Sequence, residues 1–279
     1  FSQRRQLHRA VADWHERAFA DDLSAYYSIL AYHWGRAEEA PKTVEYLEKA
    51  GEQALRSGAY REAVDFFSDA LRLAMREGGV PQFRRARWER QLGDAYLGLG
   101  QLPEGQAHLQ KALALLRHPM PNSTPALIAS LLAQVARQVL RHLSPATFAR
   151  PVSEGKENLL ETTRALQSLG EIYFFADQKI HALLSTLRAL NLAERAGTSP
   201  ELARAYANTC VIAGVVPLHG LAQHYSRRAR ETAKSVGQLP TQALVLARTG
   251  LYSLGVGQWH DAWESLEEAV QISSGLGDR

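Results

Sequence analysis

The sequence predicts an all-α protein, a right-handed α-solenoid of helical hairpins with about thirteen helices. Three observations carry that expectation. A fourteen-residue pattern occurs at 58–71, 100–113 and 257–270. Two glycine intervals agree, with 42 residues from Gly51 to Gly93 and 42 from Gly58 to Gly100. No segment alternates polar and apolar residues with the period of two that a strand requires.

Each copy opens on a glycine (Gly58, Gly100, Gly257), which permits the positive backbone dihedral that ends a helix. Five residues on comes a small residue (Ala63, Gly105, Ala262). A large apolar one follows at nine (Phe67, Leu109, Leu266), and alanine at twelve (Ala70, Ala112, Ala269). At helical spacing these side chains share one stripe, so a neighbouring helix approaches at the small positions and is wedged at the large one. Gly51 and Gly93 then belong to the preceding helix. A mid-helix glycine costs about 1 kcal/mol relative to alanine, so Gly93 implies a neighbour pressed against the backbone.

Taken in order, residues 3–20 carry Leu7, Ala10, Val11, Trp14 and Ala18 at helical spacing. Asp21 and Asp22 offer a cap for a helix over 23–37, and Pro41 opens another over 42–56. Residues 60–75 form the first clear copy. Trp88, Leu92, Gly93 and Tyr96 mark the first helix of the next hairpin, whose partner starts after Gly100. Prolines at 119, 121 and 125 make a connector, a long apolar helix spans 126–143, and 144–151 is a second connector. Residues 154–169 and 180–196 read as a hairpin joined through 173–178. Ser199 and Pro200 start a helix over 201–215, and further helices cover 218–236, 240–254 and 259–273. Trp88, Tyr96, Trp259 and Trp263 fall on repeat positions, where core packing is their expected role.

The 279 residues, 46% hydrophobic and 22% charged, describe an ordinary globular chain. A net charge of +3 gives no nucleic-acid footprint. The single cysteine, Cys210, excludes an internal disulfide and lies in an apolar helix as a small hydrophobe. No run is long enough to span a membrane as a helix, and the N-terminal residues lack a signal-peptide pattern. Opening on Phe1 suggests a piece of something longer, and a cytoplasmic setting is expected. The chemistry-bearing motifs fail one by one. There is no phosphate loop, and Gly98-Leu-Gly100 is a helix-hairpin turn rather than a dinucleotide fingerprint. His15-Glu16 does not continue into a zinc motif, because position 19 is Phe19. Basic clusters at Arg84, Arg85, Arg87 and Arg90, and at Arg227, Arg228, Arg230 and Lys234, are expected on solvated helix faces. No catalytic residue, cofactor or metal ligand is expected.

Leu92-Gly93 with Tyr96 in a first helix, and Ala63, Phe67 and Ala70 in a second, resemble the tetratricopeptide repeat, although 42 residues exceeds the usual interval. Arg5-Gln-Leu-His-Arg-Ala-Val-Ala12, Leu30-Ala-Tyr-His-Trp34, the run 40–54 and the run 190–208 look like the helical region that follows the ATPase module of large bacterial signalling proteins. Members of that family often carry a class III adenylate or guanylate cyclase or a protein kinase at the amino end. The resemblance implies that residues 1–20 leave an upstream ATPase and winged-helix module. It further implies repeats over 21–117, connectors and a long helix over 118–151, and a second repeat set over 152–279. The function so implied is that of a non-catalytic sensor or scaffold arm. Its partners would be a protein or peptide in a concave groove and the ATPase in cis, with no nucleic acid and no membrane. The alternative is a stand-alone peptide-binding or assembly adaptor.

Overall fold

The computed structural model describes residues 2–143 and 155–276, and statements of absence below concern those residues. They hold thirteen α-helices and one short 3-10 turn, with no strand. The connector expected at 144–151 lies outside the described residues.

The chain divides into two compact units, Phe1–Met120 and Pro121–Arg279. The first contains α1 (Ser2–Ala18), α2 (Tyr27–Arg36), α3 (Ala40–Arg56), α4 (Tyr60–Glu77), α5 (Gln82–Gly98) and α6 (Leu102–Leu115). The second contains α7 (Thr124–Leu143), α8 (Lys156–Phe175), α9 (Lys179–Ala196), α10 (Pro200–Val215), α11 (His219–Val236), α12 (Leu239–Gly255) and α13 (Trp259–Gly275). Within each unit sequential helices pack as antiparallel neighbours. The exception is α7, which lies on α9 rather than on the helix that follows it.

One turn, which also ends α6 at Arg117 with the His118 N–H reaching back to Leu113, joins the helices of six hairpins. Glu38, Gly58, Gly100, Asp177, Pro217 and Gly257 all adopt positive φ, at 60°, 73°, 73°, 56°, 23° and 77°. After each, the next N–H reaches back to a carbonyl five residues earlier: Glu39 to Trp34, Ala59 to Ala54, Gln101 to Tyr96, Gln178 to Tyr173, Leu218 to Ala213 and Gln258 to Ser253, at 2.8–3.1 Å. This 6→1 bond is the Schellman closure, which satisfies carbonyls the ending helix would leave bare. Three of the six turns lack glycine. The interval is 40 residues from Asp177 to Pro217 and again from Pro217 to Gly257, against 42 between Gly58 and Gly100.

The stripe after each turn is as regular. At the fifth position stand Thr43, Ala63, Gly105, Ala182, Ala222 and Ala262, and at the twelfth Ala50, Ala70, Ala112, Ala189, Ala229 and Ala269, all buried. Seven residues before the turn stand Ala31, Gly51, Gly93, Gly170, Cys210 and Gly250. A Cβ at Gly51 would lie 2.7 Å from the Phe67 ring, one at Gly93 2.5 Å from Leu109, and one at Gly250 3.0 Å from Leu266. These contacts are the close approach that the repeat pattern implies.

Several expectations are corrected. The α8 helix continues through Tyr173, Phe174 and Phe175, so the turn is confined to the three residues after them; Tyr173 is a core residue whose burial holds that last turn in place. Asp22 does accept from the Ser24 N–H at 2.9 Å, but that bond lies at the start of the 3-10 turn Ser24–Tyr26, whose cap position is Leu23, and α2 begins only at Tyr27. Trp259 and Trp263 are exposed rather than core, because no described helix covers their side of α13. The first arginine cluster is engaged in ion pairs: Arg84 with Glu48, Arg87 with Glu52 and Arg90 with Asp94, the first two binding α5 to α3. In the second cluster Arg228 lies over the Tyr206 ring at 4.6 Å and Arg230 donates to Ser265.

In the first unit α1 is fastened by a polar knot. Glu16 accepts from the Tyr46 hydroxyl at 2.6 Å, the Trp34 indole at 3.2 Å and the Lys42 ammonium at 3.0 Å. Ion pairs Arg5–Glu38 and Arg9–Glu39 add to it. In the second unit Ser199 caps α10, accepting from the Leu202 N–H at 3.2 Å.

Candidate functional site

The ninth position after the turn decides where the second unit is solid and where it is open. Phe67, Leu109 and Leu266 fill it in three hairpins. In α8–α9 the residue is Thr186 and in α10–α11 it is Ser226. Opposite Ser226 the missing volume is restored by Cys210, which stands where four of the other hairpins have glycine and is fully buried. Opposite Thr186 nothing restores it. Gly170 stands there, and even a Cβ on it would find only ordinary contacts, 3.4 Å to Ser185 and 3.8 Å to Thr186.

Two grooves meet at that under-filled place, and both include Thr186 and Ile212. One, of about 470 Å³, lies among α7, α9, α10 and α11 and is walled by aliphatic side chains including Val135, Val139, Leu183 and Leu221. The other, of about 450 Å³, lies on α8, α10 and α12, with Phe174, Phe175 and Leu251 at its exposed edge. Together they form a trough open to solvent. Such volumes suit a ligand segment of several residues.

The polar groups beneath the first groove are spent on one another. Tyr225 donates its hydroxyl to Gln138 Oε1 at 3.0 Å, and Gln138 Nε2 donates to Asn191 Oδ1 and Glu194 Oε2, both at 2.8 Å. Asn191 donates to Gln134 Oε1 at 2.9 Å, Tyr206 donates to Glu194 at 3.2 Å, and Arg141 pairs with Glu194 at 3.0 Å. This network pins α7 to α9, α10 and α11. Because burial of Glu194 is compensated from several sides, the network can carry its charge inside the unit. Burial, with the nearby Glu194 charge, pushes the Tyr225 hydroxyl up to about 12, so it stays a donor.

The second groove is more polar. Glu171 accepts from Arg204 at 3.3 Å and from Arg248 at 3.0 Å, leaving one positive charge in excess among the three. Asn208 Oδ1 is buried there without a hydrogen-bond partner. An unmet buried acceptor is costly and is satisfied by a donor on a ligand. Among the described residues that line the grooves the carboxylate is Glu171, which is paired with Arg204 and Arg248. The Cys210 thiol is pushed up to about 12 by burial and is protonated, and among the described residues no cluster of histidine, cysteine and carboxylate is arranged for a metal ion.

Gly51, Gly93, Ala63, Phe67, Ala70, Leu109, Ala112, Ala262 and Ala269 are buried at helix contacts, and Gly58, Gly100 and Gly257 form the turns. Tyr96 stacks on His108 at 5.3 Å, and Leu266 packs over Gly250. None of them lines the trough. Sequence reasoning missed Thr186, Ile212, Gln138, Glu194 and Asn208, although one signal for the first was present: a threonine stands nine residues after a turn, where the pattern asks for a large side chain.

These features define the class: an all-α helical-repeat protein of tetratricopeptide-like hairpins. No known family model matches the chain, and no curated protein matches it. Among solved structures the chain is similar to BtubC (BKLC) from P. vanneervenii, with a TM-score of 0.55 and 16% identity over 95% of this chain and 93% of that one. The TPR2AB domain of yeast Sti1, in complex with pHSP90, aligns with a TM-score of 0.34 and 19% identity over 96% of this chain and 93% of that one. No helix of the described residues is long and apolar enough to cross a membrane.

Proposed function

We propose that this chain is a non-catalytic protein-interaction scaffold whose second unit binds an apolar segment of a protein partner in the trough centred on Thr186 and Ile212. The observation that carries the reading is the absent wedge opposite Gly170, which opens apolar volume where the other hairpins are solid. An apolar side chain entering beside Ile212 would be removed from water, gaining about 25 cal/mol per Å² buried. A ligand donor near Asn208 would meet its buried oxygen. Repeat scaffolds present such continuous surfaces on their stacked helices. The sequence likeness to the helical arms of bacterial signalling ATPases supports a finer reading, in which this scaffold regulates an attached ATPase or nucleotide cyclase. There, ligand binding would shift the arm between two packings and so bias the output. That finer reading fails if removing residues 22–279 from such a parent leaves its output unchanged under every stimulus.

The binding reading is tested by selecting a displayed library of random peptides on the purified chain and on Thr186→Leu. The substitution supplies the missing wedge, as Leu109 does over Gly93, without touching the polar network. Apolar peptides enriched on the wild type and weakened at least tenfold on the variant support the trough. Equal binding to both, at unchanged melting temperature, refutes it.

A further inference from the structure

The outer side of α13 has an internal template. Trp259, Trp263 and Val270 stand two, six and thirteen residues after the Gly257 turn, as Tyr60, Val64 and Leu71 stand after the Gly58 turn. In α4 that stripe is roofed by α5. Tyr60 lies over Gly98, where a Cβ would come within 2.6 Å of its ring, and Val64 and Leu71 pack into the core. In α13 the equivalent residues are 69%, 70% and 64% exposed. Two tryptophans and a valine on a bare helix face are costly to leave in water, and α5 over α4 shows what covers such a face: one helix offering small residues to the aromatic rings.

A helix of that kind is present at the surface of the first unit. On α1, Leu7, Val11 and Trp14 form an outward stripe, exposed by 67%, 37% and 55%, with the small residues Ala10 and Ala18 beside it. The charges of the two helices are opposite. Between Trp259 and Gly275 there are four acids, Asp261, Glu264, Glu267 and Glu268, and no lysine or arginine. Between Ser2 and Ala18 there are four arginines against Asp13 and Glu16, and Arg4 and Arg17 border the apolar stripe. Complementary charge at the rim of an apolar contact fixes partner and register.

We propose that the α13 stripe of one copy of this chain packs against the α1 stripe of a second copy, a heterologous contact that continues helix stacking from chain to chain. The two faces differ, so each copy keeps one free face after pairing. The test is the mass in solution by sedimentation velocity across a concentration series. The variants are Trp259→Glu with Trp263→Glu, which blocks only α13, and Leu7→Asp, which blocks only α1. All three positions are on the surface, and circular dichroism checks that the fold survives. The wild type should rise above monomer mass with concentration and each variant alone should stay monomeric, while an equal mixture of the two variants should form a species of twice the monomer mass and nothing larger. The proposal is overturned if the wild type stays monomeric throughout, or if the mixture yields no dimer. It is equally overturned if Leu7→Asp associates like the wild type, the result expected of a symmetric contact between two α13 helices.

Discussion

Gly51 of α3 lies directly under the ring of Phe67 of α4, so near that a single added methyl carbon at position 51 would sit 2.7 Å from Cζ. The large wedge and the missing side chain are one feature seen from two helices. Gly51→Ala therefore sets two effects against each other. Alanine raises helix propensity by about 1 kcal/mol. Overpacking against a rigid buried ring costs about 1 to 3 kcal/mol, and Phe67 is fully buried with no free direction to move. Overpacking wins, and Gly51→Ala should lower the urea midpoint of the first unit. Adding Phe67→Leu should recover part of the loss, because α2–α3 carries alanine, Ala31, at the glycine position and leucine, Leu47, at the wedge position.

The α10–α11 hairpin solves the same packing problem with the sizes exchanged. Cys210 stands where α3, α5 and α12 have glycine, and the facing Ser226, which is hydrogen-bonded to the thiol, stands where α4, α6 and α13 have phenylalanine or leucine. Cys210→Gly should destabilise by about 1 to 2 kcal/mol through a lost side chain and lower helix propensity. Ser226→Leu should also destabilise, by about 1 to 3 kcal/mol, through overpacking. Made together they recreate the Gly93–Leu109 pair, so the double variant should be more stable than the sum of the singles by 1 kcal/mol or so. Additive losses in denaturant melts would show that the two positions do not pack as one unit.

Much of this architecture was legible because the rule is local. A positive-φ turn, a small residue at five and alanine at twelve can be read wherever the turn residue is glycine, as at Gly58, Gly100 and Gly257. Asp177, Pro217 and Glu38 hold the same turn without glycine, supported by the tertiary packing on either side, and so the helices of these three hairpins were legible but their repeat register was hidden. The candidate trough was hidden for a related reason: it arises from Thr186, a departure visible only after Asp177 is aligned with Gly58. Gln138, Asn191 and Glu194 are brought together from α7 and α9 by a packing order in which α7 bypasses α8. No spacing along the chain encodes that. The exposure of Trp259 and Trp263 could not be read either, since their repeat positions are half-buried under α5 in α4 and only the absence of a covering described helix makes the difference.

The turn itself yields a further prediction. Gly58 sits at φ of 73° with nothing within 4 Å of where a side chain would begin, so a substitution meets no steric neighbour and probes the backbone alone. Gly58→Ala should cost about 1 to 2 kcal/mol, the price of holding an L-residue in the left-handed region. Gly255→Ala is the control. It too has open space around it, but its φ lies outside the left-handed region and it ends α12, so alanine there should be neutral or slightly stabilising. Thermal melts of the two variants should move in opposite directions or differ by several degrees.

The knot around Glu16 makes the docking of α1 depend on acid. Burial opposes ionisation of this carboxyl, but the hydrogen bonds from Tyr46 and Lys42, with the Lys42 charge and the Trp34 indole, outweigh it and hold the group below its ordinary value of 4.5. Folding then favours the carboxylate. Its stabilisation is complete above the unfolded value near 4.5 and is lost as pH falls through the lower folded value, because the unfolded chain binds the proton first. At neutral pH Glu16→Gln should destabilise the first unit by about 1 to 2 kcal/mol, the loss of charge-assisted hydrogen bonds at a partly exposed site. As pH falls below 4.5 and through the lower folded value the wild type loses the same advantage, so the two melting curves should converge. A gap that stays constant from pH 7 down to pH 3 would mean that the variant acts through packing around Trp34 rather than through charge. A gap that closes shows that the carboxylate itself fastens α1 to α2 and α3.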